Sequence, residues 1–207
     1  MANIIFDFDG TLADTFPLIV DVSYRLSPGV KRLPDKKIEE LRRLPLLISF
    51  FHLGIPWTHM PYLIRHTRKN MTESISEAPP FDGIVKMIKD LHRDGHKLFI
   101  MSSNYPKNIR SFLKHHNLDR QVTDVTGVPW GNTIIKAWAL RALARRHSMD
   151  LSSSYHVGNE ALDIRAARFA GMRGIAVTWS GFSRKGLARS KPFALIVKPS
   201  DLPRLLQ

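Results

Sequence analysis

The sequence predicts an α/β protein: a parallel sheet with helices on both faces, carrying an all-helical insertion after its first strand. Three features predict it. Residues 3–8, NIIFDF, form a short run dense in Ile and Phe with the texture of a buried strand. From about residue 84 onward, strand-like and helix-like segments alternate at short intervals. Between residues 15 and 78 there is no strand alternation of apolar and polar positions. The expected organisation is a Rossmann-like core made of residues 1–14 and 79–207, with a helical cap over residues 15–78.

After the first strand, DTFPLIVDVSYRLS starts a helix, with Asp14 or Thr15 available as cap and Pro17 near its first turn. PDKKIEELRRL is helical as well, placing Ile38, Leu41 and Leu44 on one face and Asp35 near the start. Pro45, Pro56 and Pro61 break up the next segment, and MPYLIRHTRKNMTESI reads as a further helix. In the core, GIVKMIKDLHRDG has apolar residues at 84, 88 and 91 and stops at Asp94–Gly95, before the strand HKLFIMSS. Next come a helix over 106–116, a short strand near 122–125, a helix over 133–147 and the strand SYHV. A helix over 161–170, the strands GIAVTW and ALIV, and a terminal turn SDLPRLL complete the chain.

With 207 residues, the chain fits one domain, or one domain with a smaller insertion, and its 43% hydrophobic content is ordinary for a globular protein. The absence of cysteine excludes disulfides and thiolate metal sites. The N-terminal MANIIFDFDG lacks a basic, signal-like region, and no run reaches the roughly 18 apolar residues that spanning a bilayer needs. A cytoplasmic location without membrane attachment is the expectation. Lys and Arg outnumber Asp and Glu by 31 to 18, a formal +13 that attracts anions, whether phosphorylated metabolites or nucleic acid. The basic residues are scattered in pieces such as RHTRK, ARRH and SRKG, a weak footprint for nucleic acid. Oligomeric state has no signal in the sequence.

In open parallel sheets the ligand sits beyond the carboxyl ends of the strands. The first strand ends in Asp7-Phe8-Asp9-Gly10-Thr11, another in Ser102-Ser103-Asn104, and a third in Gly158-Asn159-Glu160. Asp7 and Asp9 are two residues apart, so an extended backbone points both carboxylates the same way. They repel unless a cation or a proton lies between them. Oxygen ligands without His or Cys suit Mg²⁺. One carboxylate that accepts a phosphoryl group, beside another that handles the proton, is a route to covalent phosphoryl transfer. Gly10 permits a sharp turn; the competing account is an Asx turn with Asp-Gly as turn chemistry alone.

FDFDGTLADT resembles the first motif of the haloacid dehalogenase superfamily, specifically its phosphatase branch. LFIMSSN resembles the second motif, Lys136 in NTIIKAWALRAL the third, and YHVGNEALDIRAARFAGM the fourth, with GIAVTWSGF resembling the stretch after it. These occur in the family's order and cover nearly the whole chain; residues 15–78 match only as a small helical cap of the phosphoglycolate phosphatase-like kind. The resemblance implies that Asp7 is the nucleophile, Asp9 the general acid and base, Ser102 the hydroxyl that holds the transferring phosphoryl group, and Lys136 the cation that offsets its charge. It also implies phosphate contacts from Ser103, Asn104 and the backbone of Gly10 and Thr11, and a Mg²⁺ held by Asp7, the backbone carbonyl of Asp9 and Asn159. Where the family usually carries Asp, this chain has Asn159, which brings a carbonyl oxygen but no charge. Glu160 and Asp163 are expected near the metal or its water, with Asp163 also able to pair with Lys136. Helix capping by the same stretch is compatible with that role.

Arg42 resembles a cap arginine that some relatives aim at the substrate, and a solvated helix arginine is its plainer reading. His52, Trp57, His59, Tyr62 and Arg65 are further candidates to line the cap. The expected activity is Mg²⁺-dependent hydrolysis of a small phosphorylated substrate through an aspartyl-phosphate. Two alternatives stay open: a phosphosugar mutase, and a binding protein on this fold that uses its basic charge to hold nucleic acid.

Overall fold

The computed structural model describes residues 1–44, 46–72, 74–129, 132–181 and 183–206, with Leu47 and Ile64 described by their backbone alone. Pro45, expected to break a helix, lies outside the described residues.

Six parallel strands form one sheet in the order β3-β2-β1-β4-β5-β6. They are β1 (Asn3–Phe6), β2 (Lys97–Ser102), β3 (Val122–Gly127), β4 (Tyr155–Gly158), β5 (Arg173–Val177) and β6 (Ala194–Ile196). β1 is central, with Ile5 registered against Phe99 of β2 on one side and His156 of β4 on the other. The chain builds outward through β2 and β3, then crosses back to place β4 on the opposite side of β1. That reversal opens a crevice beyond the ends of β1 and β4, the place where such sheets bind ligands.

The central strands are mostly apolar because both sheet faces are covered, whereas the edge strand β3 (VTDVTG) carries Asp and Thr and is only partly buried. Ile4, Phe6, Leu98 and Ile100 point to one side, where they meet Ile88 and Leu91 of α5 (Ile84–Arg93) and Phe112 of α6 (Pro106–His115). Ile5, Phe99 and Met101 point to the other, against Leu140 and Leu143 of α7 (Thr133–Arg146) and the Ala166–Ala167–Ala170 surface of α8 (Ala161–Ala170). The small alanines let α7 and α8 lie close together, so that side chains near their starts share one space.

Every described element between Phe16 and Glu77 is helical: α1 (Phe16–Arg25), α2 (Asp35–Leu41), α3 (Leu46–His52), α4 (Met60–Asn70), and single 3₁₀ turns at Trp57–His59 and Ile75–Glu77. The chain leaves the core and returns to it side by side. Asp14 N–H donates to the Pro79 carbonyl at 2.8 Å, and Phe81 N–H donates to the Leu12 carbonyl at 3.2 Å.

Local expectations need four corrections. The helix read over 60–75 stops at Asn70, whose side-chain amide donates to the His66 carbonyl at 2.9 Å, and Thr72 and Ser74 favour turns. α3 occupies a stretch that its flanking prolines had suggested was broken. Prolines bound short helices as well as interrupt them, and the buried Ser49, Phe50 and Leu53 give this one a packed face. A short helix, α9 (Arg184–Ala188), was not foreseen; the Ser183 hydroxyl caps it by accepting the Gly186 N–H at 3.2 Å. The terminal turn is a helical turn, α10 (Asp201–Leu205). No helix among the described residues is long and apolar enough to cross a membrane.

The junction of β4 and α8 depends on Gly158. A Cβ there would run into the side chain of Asp163 in the first turn of α8. Overpacking of this kind costs about 1–3 kcal/mol, so Gly158→Ala is expected to lower the thermal midpoint by roughly 3–10 °C, read by a circular dichroism melt.

Candidate active site

The site is organised around Lys136, on the first turn of α7. Its ammonium is buried and lies 3.1 Å from Asp7 Oδ1 and 2.5 Å from Asp163 Oδ1. Such burial rules out a solvated-face role for this lysine. Asp7 extends β1 by one ladder bond, its N–H donating to the Val157 carbonyl at 2.8 Å, which aims the carboxylate past the strand end. Asp163 accepts the N–H of Glu160 at 2.9 Å through its other oxygen. It therefore caps α8 and holds Lys136 at the same time. His156 donates through Nδ1 to the Ile5 carbonyl at 3.0 Å and places Nε2 3.7 Å from Asp163.

The two acids of the first motif have different surroundings. Asp9 is held by uncharged donors: the Thr15 hydroxyl at 2.8 Å, the Asn104 amide at 3.2 Å and the Ser102 hydroxyl at 3.3 Å. Burial raises its pKa, against the pull of those three bonds and the more distant Arg68. For Asp7, burial wins over Lys136, and repulsion from Asp163 and Asp9 adds to it, raising the pKa to about 8. Burial also disfavours charge on Asp163, but Lys136 overrides it and holds this carboxyl well below the ordinary range. Asp163 and Asp7 in turn raise the pKa of Lys136 against its burial. Glu160 is raised by burial, with Asp163 adding to the effect.

Asn159 closes the opposite wall. Its Oδ1 accepts from the Thr11 hydroxyl at 3.3 Å and its Nδ2 donates to the Ser180 hydroxyl at 3.2 Å. Gly10 makes this approach possible: its φ is +73°, and a Cβ would collide with the Asn159 amide. The helix cap proper is the next residue, Glu160, whose carboxylate also accepts the N–H of Leu46 at the start of α3, at 3.2 Å. The stretch 159–163 thus joins helix capping, the lysine pair and a contact to the cap.

Asp7, Asp9, Ser102, Ser103, Lys136, Asn159, Glu160 and Asp163 line one cleft of about 560 Å³, so the sequence-read acids, lysine and serines converge there. Two expectations change. The backbone N–H groups of Gly10 and Thr11 were expected to face phosphate, but they are spent inside their own turn, on the carbonyls of Ala13 (3.0 Å) and Phe8 (3.2 Å). The loop winds tightly enough for the Phe8 carbonyl to accept from three successive N–H groups. Asn104 was expected to contact phosphate; its side chain instead holds Asp9 and accepts from Tyr105 N–H at 2.8 Å and the Asn108 amide at 2.9 Å.

Arg42 lines the cleft but is engaged by Asp14 at 2.6 Å and Glu39 at 2.7 Å, and its guanidinium lies 5.1 Å from the centre of the Phe16 ring. His52, Trp57, His59, Tyr62 and Arg65 are exposed and line neither this cleft nor the recess beside it. Sequence reading missed Thr15 as a holder of Asp9, since its position suggested only a helix cap. It also missed Ser180, buried beside Asn159, and Trp179, whose indole N–H donates to the Thr11 carbonyl at 2.9 Å.

A hard cation fits these residues. Four carboxylates, Asp7, Asp9, Glu160 and Asp163, share the inner cleft with one buried ammonium, Lys136. Burial disfavours charge on Asp7 and Asp9, with repulsion from Asp163 and Asp9 adding to it for Asp7, and a divalent ion would favour the ionised forms. No group of three His, Cys, Asp or Glu side chains among the described residues could hold a metal by itself. A ligand set would therefore draw on neutral oxygens, which the Asp9 carbonyl and Asn159 Oδ1 can supply.

The chain matches the family model of haloacid dehalogenase-like hydrolases over residues 4–177. It is 31% identical to a phosphoglycolate phosphatase of Synechococcus elongatus, covering 98% of this chain and 95% of that protein. It is 24% identical to pyrophosphatase PpaX of Listeria innocua, over 98% and 94% of the two chains. Among solved structures, a haloacid dehalogenase-like family hydrolase from Streptococcus pneumoniae superposes with a TM-score of 0.82 at 21% identity, over 100% of this chain and 99% of that one, a likeness of fold.

Removing the charge of Lys136 leaves Asp7 and Asp163 buried without a cation, a change that costs about 3–5 kcal/mol. Lys136→Met is expected to lower the metal-free thermal midpoint by roughly 6–20 °C, measured by calorimetry; an unchanged midpoint would show that the carboxylates are stable without it.

Proposed function

The chain belongs to the haloacid dehalogenase-like hydrolases, in their phosphatase branch, and on that premise we propose that it is a Mg²⁺-dependent phosphomonoester hydrolase acting through an aspartyl-phosphate on a small phosphorylated metabolite. The observation that carries the proposal is the contrast between two acids two residues apart. Asp7 lies against the Lys136 ammonium, whereas Asp9 is held only by hydroxyl and amide donors.

In this reading Asp7 attacks phosphorus and the ester P–O bond breaks. Asp9, whose pKa burial raises, acts as the acid and passes a proton to the leaving oxygen. Asp9 is then a carboxylate and takes a proton from the incoming water, which attacks phosphorus, releases phosphate and restores Asp7. Thr15 and Asn104 fix Asp9 for both transfers. The Ser102 hydroxyl and Lys136 hold the phosphoryl oxygens, and positioning with charge stabilisation is most of what this chemistry needs. Asp7, the Asp9 carbonyl and Asn159 would hold Mg²⁺, which supplies positive charge to keep Asp7 ionised and to offset the phosphoryl group. Glu160 and Asp163 stand behind that set. Residues 15–78 act as the cap that excludes water and selects the leaving group, and residues 1–14 and 79–207 as the catalytic core.

Hydrolysis of an aryl phosphate is expected to require both Mg²⁺ and Asp7, with Asp7→Asn reducing kcat by at least about 10³-fold. Release of inorganic phosphate separates hydrolase from mutase, and lack of turnover at saturating Mg²⁺ would refute the proposal. Asn159→Asp adds one negative charge beside the cation, and the mutant carboxylate can still accept from Thr11 and Ser180. It is expected to tighten the apparent Mg²⁺ affinity by about tenfold or more, read from the Mg²⁺ dependence of rate; equal affinity in the two proteins would remove the charge argument.

A further inference from the structure

Beside the main cleft, with Asp9 in the wall of both, lies a recess of about 40 Å³. Asp9, Ser103 and Asn104 form its core side, and Phe50, Met71 and Arg68 its cap side. The two spaces are adjacent, sharing Asp9, Ile19, Leu46 and Ser103 in their walls. At roughly 10–15 Å³ of such space per water, the recess admits a group of a few heavy atoms.

Arg68, on α4, is half-buried and forms no ion pair with any described carboxylate. Burial lowers its pKa from the usual arginine value, and Asp9 and Tyr105 are the ionisable groups that oppose this. Arg42 differs: it lies on the far side of the main cleft, with both faces of its guanidinium edge taken by Asp14 and Glu39. The backbone of Arg68 is also fixed to the site. Asn108 Nδ2 donates to the Arg68 carbonyl at 3.0 Å and to Asn104 Oδ1 at 2.9 Å, and Asn104 holds Asp9. The position of this arginine is thereby tied to the position of the acid.

We propose that Arg68, rather than Arg42, is the cap residue that reads the substrate, and that it selects phosphate esters or anhydrides whose leaving group carries a second anion close to the bridging oxygen. The inference rests on the hydrolase reading above. In that reading the leaving oxygen departs at Asp9, so the group attached to it enters the recess. There it meets one unpaired guanidinium between apolar walls. A small carboxylate or a second phosphate supplies the missing counter-charge, and the recess excludes larger groups.

The test is the steady-state kinetics of three compounds: 2-phosphoglycolate, pyrophosphate, and 2-hydroxyethyl phosphate, in which a hydroxymethyl replaces the carboxylate. The wild-type kcat/KM is expected to favour an anionic compound over the hydroxyethyl ester by about 10- to 100-fold, the size of a charge-assisted hydrogen bond. Comparison of the first two shows whether the anion is carboxylate or phosphate. Arg68→Gln is expected to bring the preference close to one, mainly through KM; should that variant fail to fold, Arg68→Met reads the same ratio. Equal losses on the anionic and hydroxyethyl esters, or an unchanged ratio, would overturn the assignment while leaving the hydrolase intact. If the wild-type protein turns over none of these esters, nor the aryl phosphate, the hydrolase reading falls and the assignment falls with it.

Discussion

The ammonium of Lys136 between Asp7 and Asp163 is the interaction on which the rest of the molecule depends. Asp7 comes from β1, Lys136 from α7 and Asp163 from α8, so one cation joins three elements that are remote in sequence. The packing below it exists to make that meeting accurate. Small alanines bring α8 against α7, and Gly158 lets the start of α8 close over the end of β4. Asp163 spends its second oxygen on the helix N-terminus, so the ion pair and the cap of α8 cannot be separated. Removing either partner of such a buried set costs far more than the pair contributes relative to an apolar replacement.

The charge distribution has two scales. Over the whole chain, basic residues exceed acidic ones by thirteen, which draws anions toward the molecule. Within the inner cleft the balance differs: four carboxylates share the space with Lys136, and burial disfavours charge on three of them, Asp7, Asp9 and Glu160. An anionic substrate drawn in by the exterior therefore reaches a cleft in which a cation would be needed for those acids to ionise beside it. The chain thus separates attraction from admission. Asn159 fits the same logic: it closes the wall through hydrogen bonds to Thr11 and Ser180 and adds no further negative charge.

The parallel sheet was legible because its signals are local. Residues 3–8 are apolar enough to be buried on both faces, and the core helices carry their own stops, such as Asp94–Gly95. The convergence of Asp7, Ser102, Lys136 and Asn159 followed from the rule for strand ends and from the order of the motifs. What remained illegible was the use to which ordinary polar residues are put. Thr15 sits where a helix cap belongs, and only the three-dimensional path of the loop turns its hydroxyl to Asp9. Asn104 and Asn108 form a chain of amides across the boundary between cap and core, which no spacing encodes. The bonding of the Gly10 and Thr11 loop amides was not legible for the complementary reason, that a turn can consume its own donors. The cap was the weakest part of the reading: short helices between prolines are stabilised by what they pack against.

The paired strands of backbone at 12–14 and 79–81 bear on how such a chain can change. Because the two crossings are stitched to each other by hydrogen bonds, the ends of the insertion are held together whatever lies between them. The entropy of closing a loop grows slowly with its length, so a longer or shorter lid grafted at this junction would disturb the sheet little. In the proposed hydrolase, most of the chemistry would sit below the stitch and the fit to the leaving group above it. A lineage could therefore exchange one lid for another and acquire a new substrate without rebuilding the machinery that cleaves it.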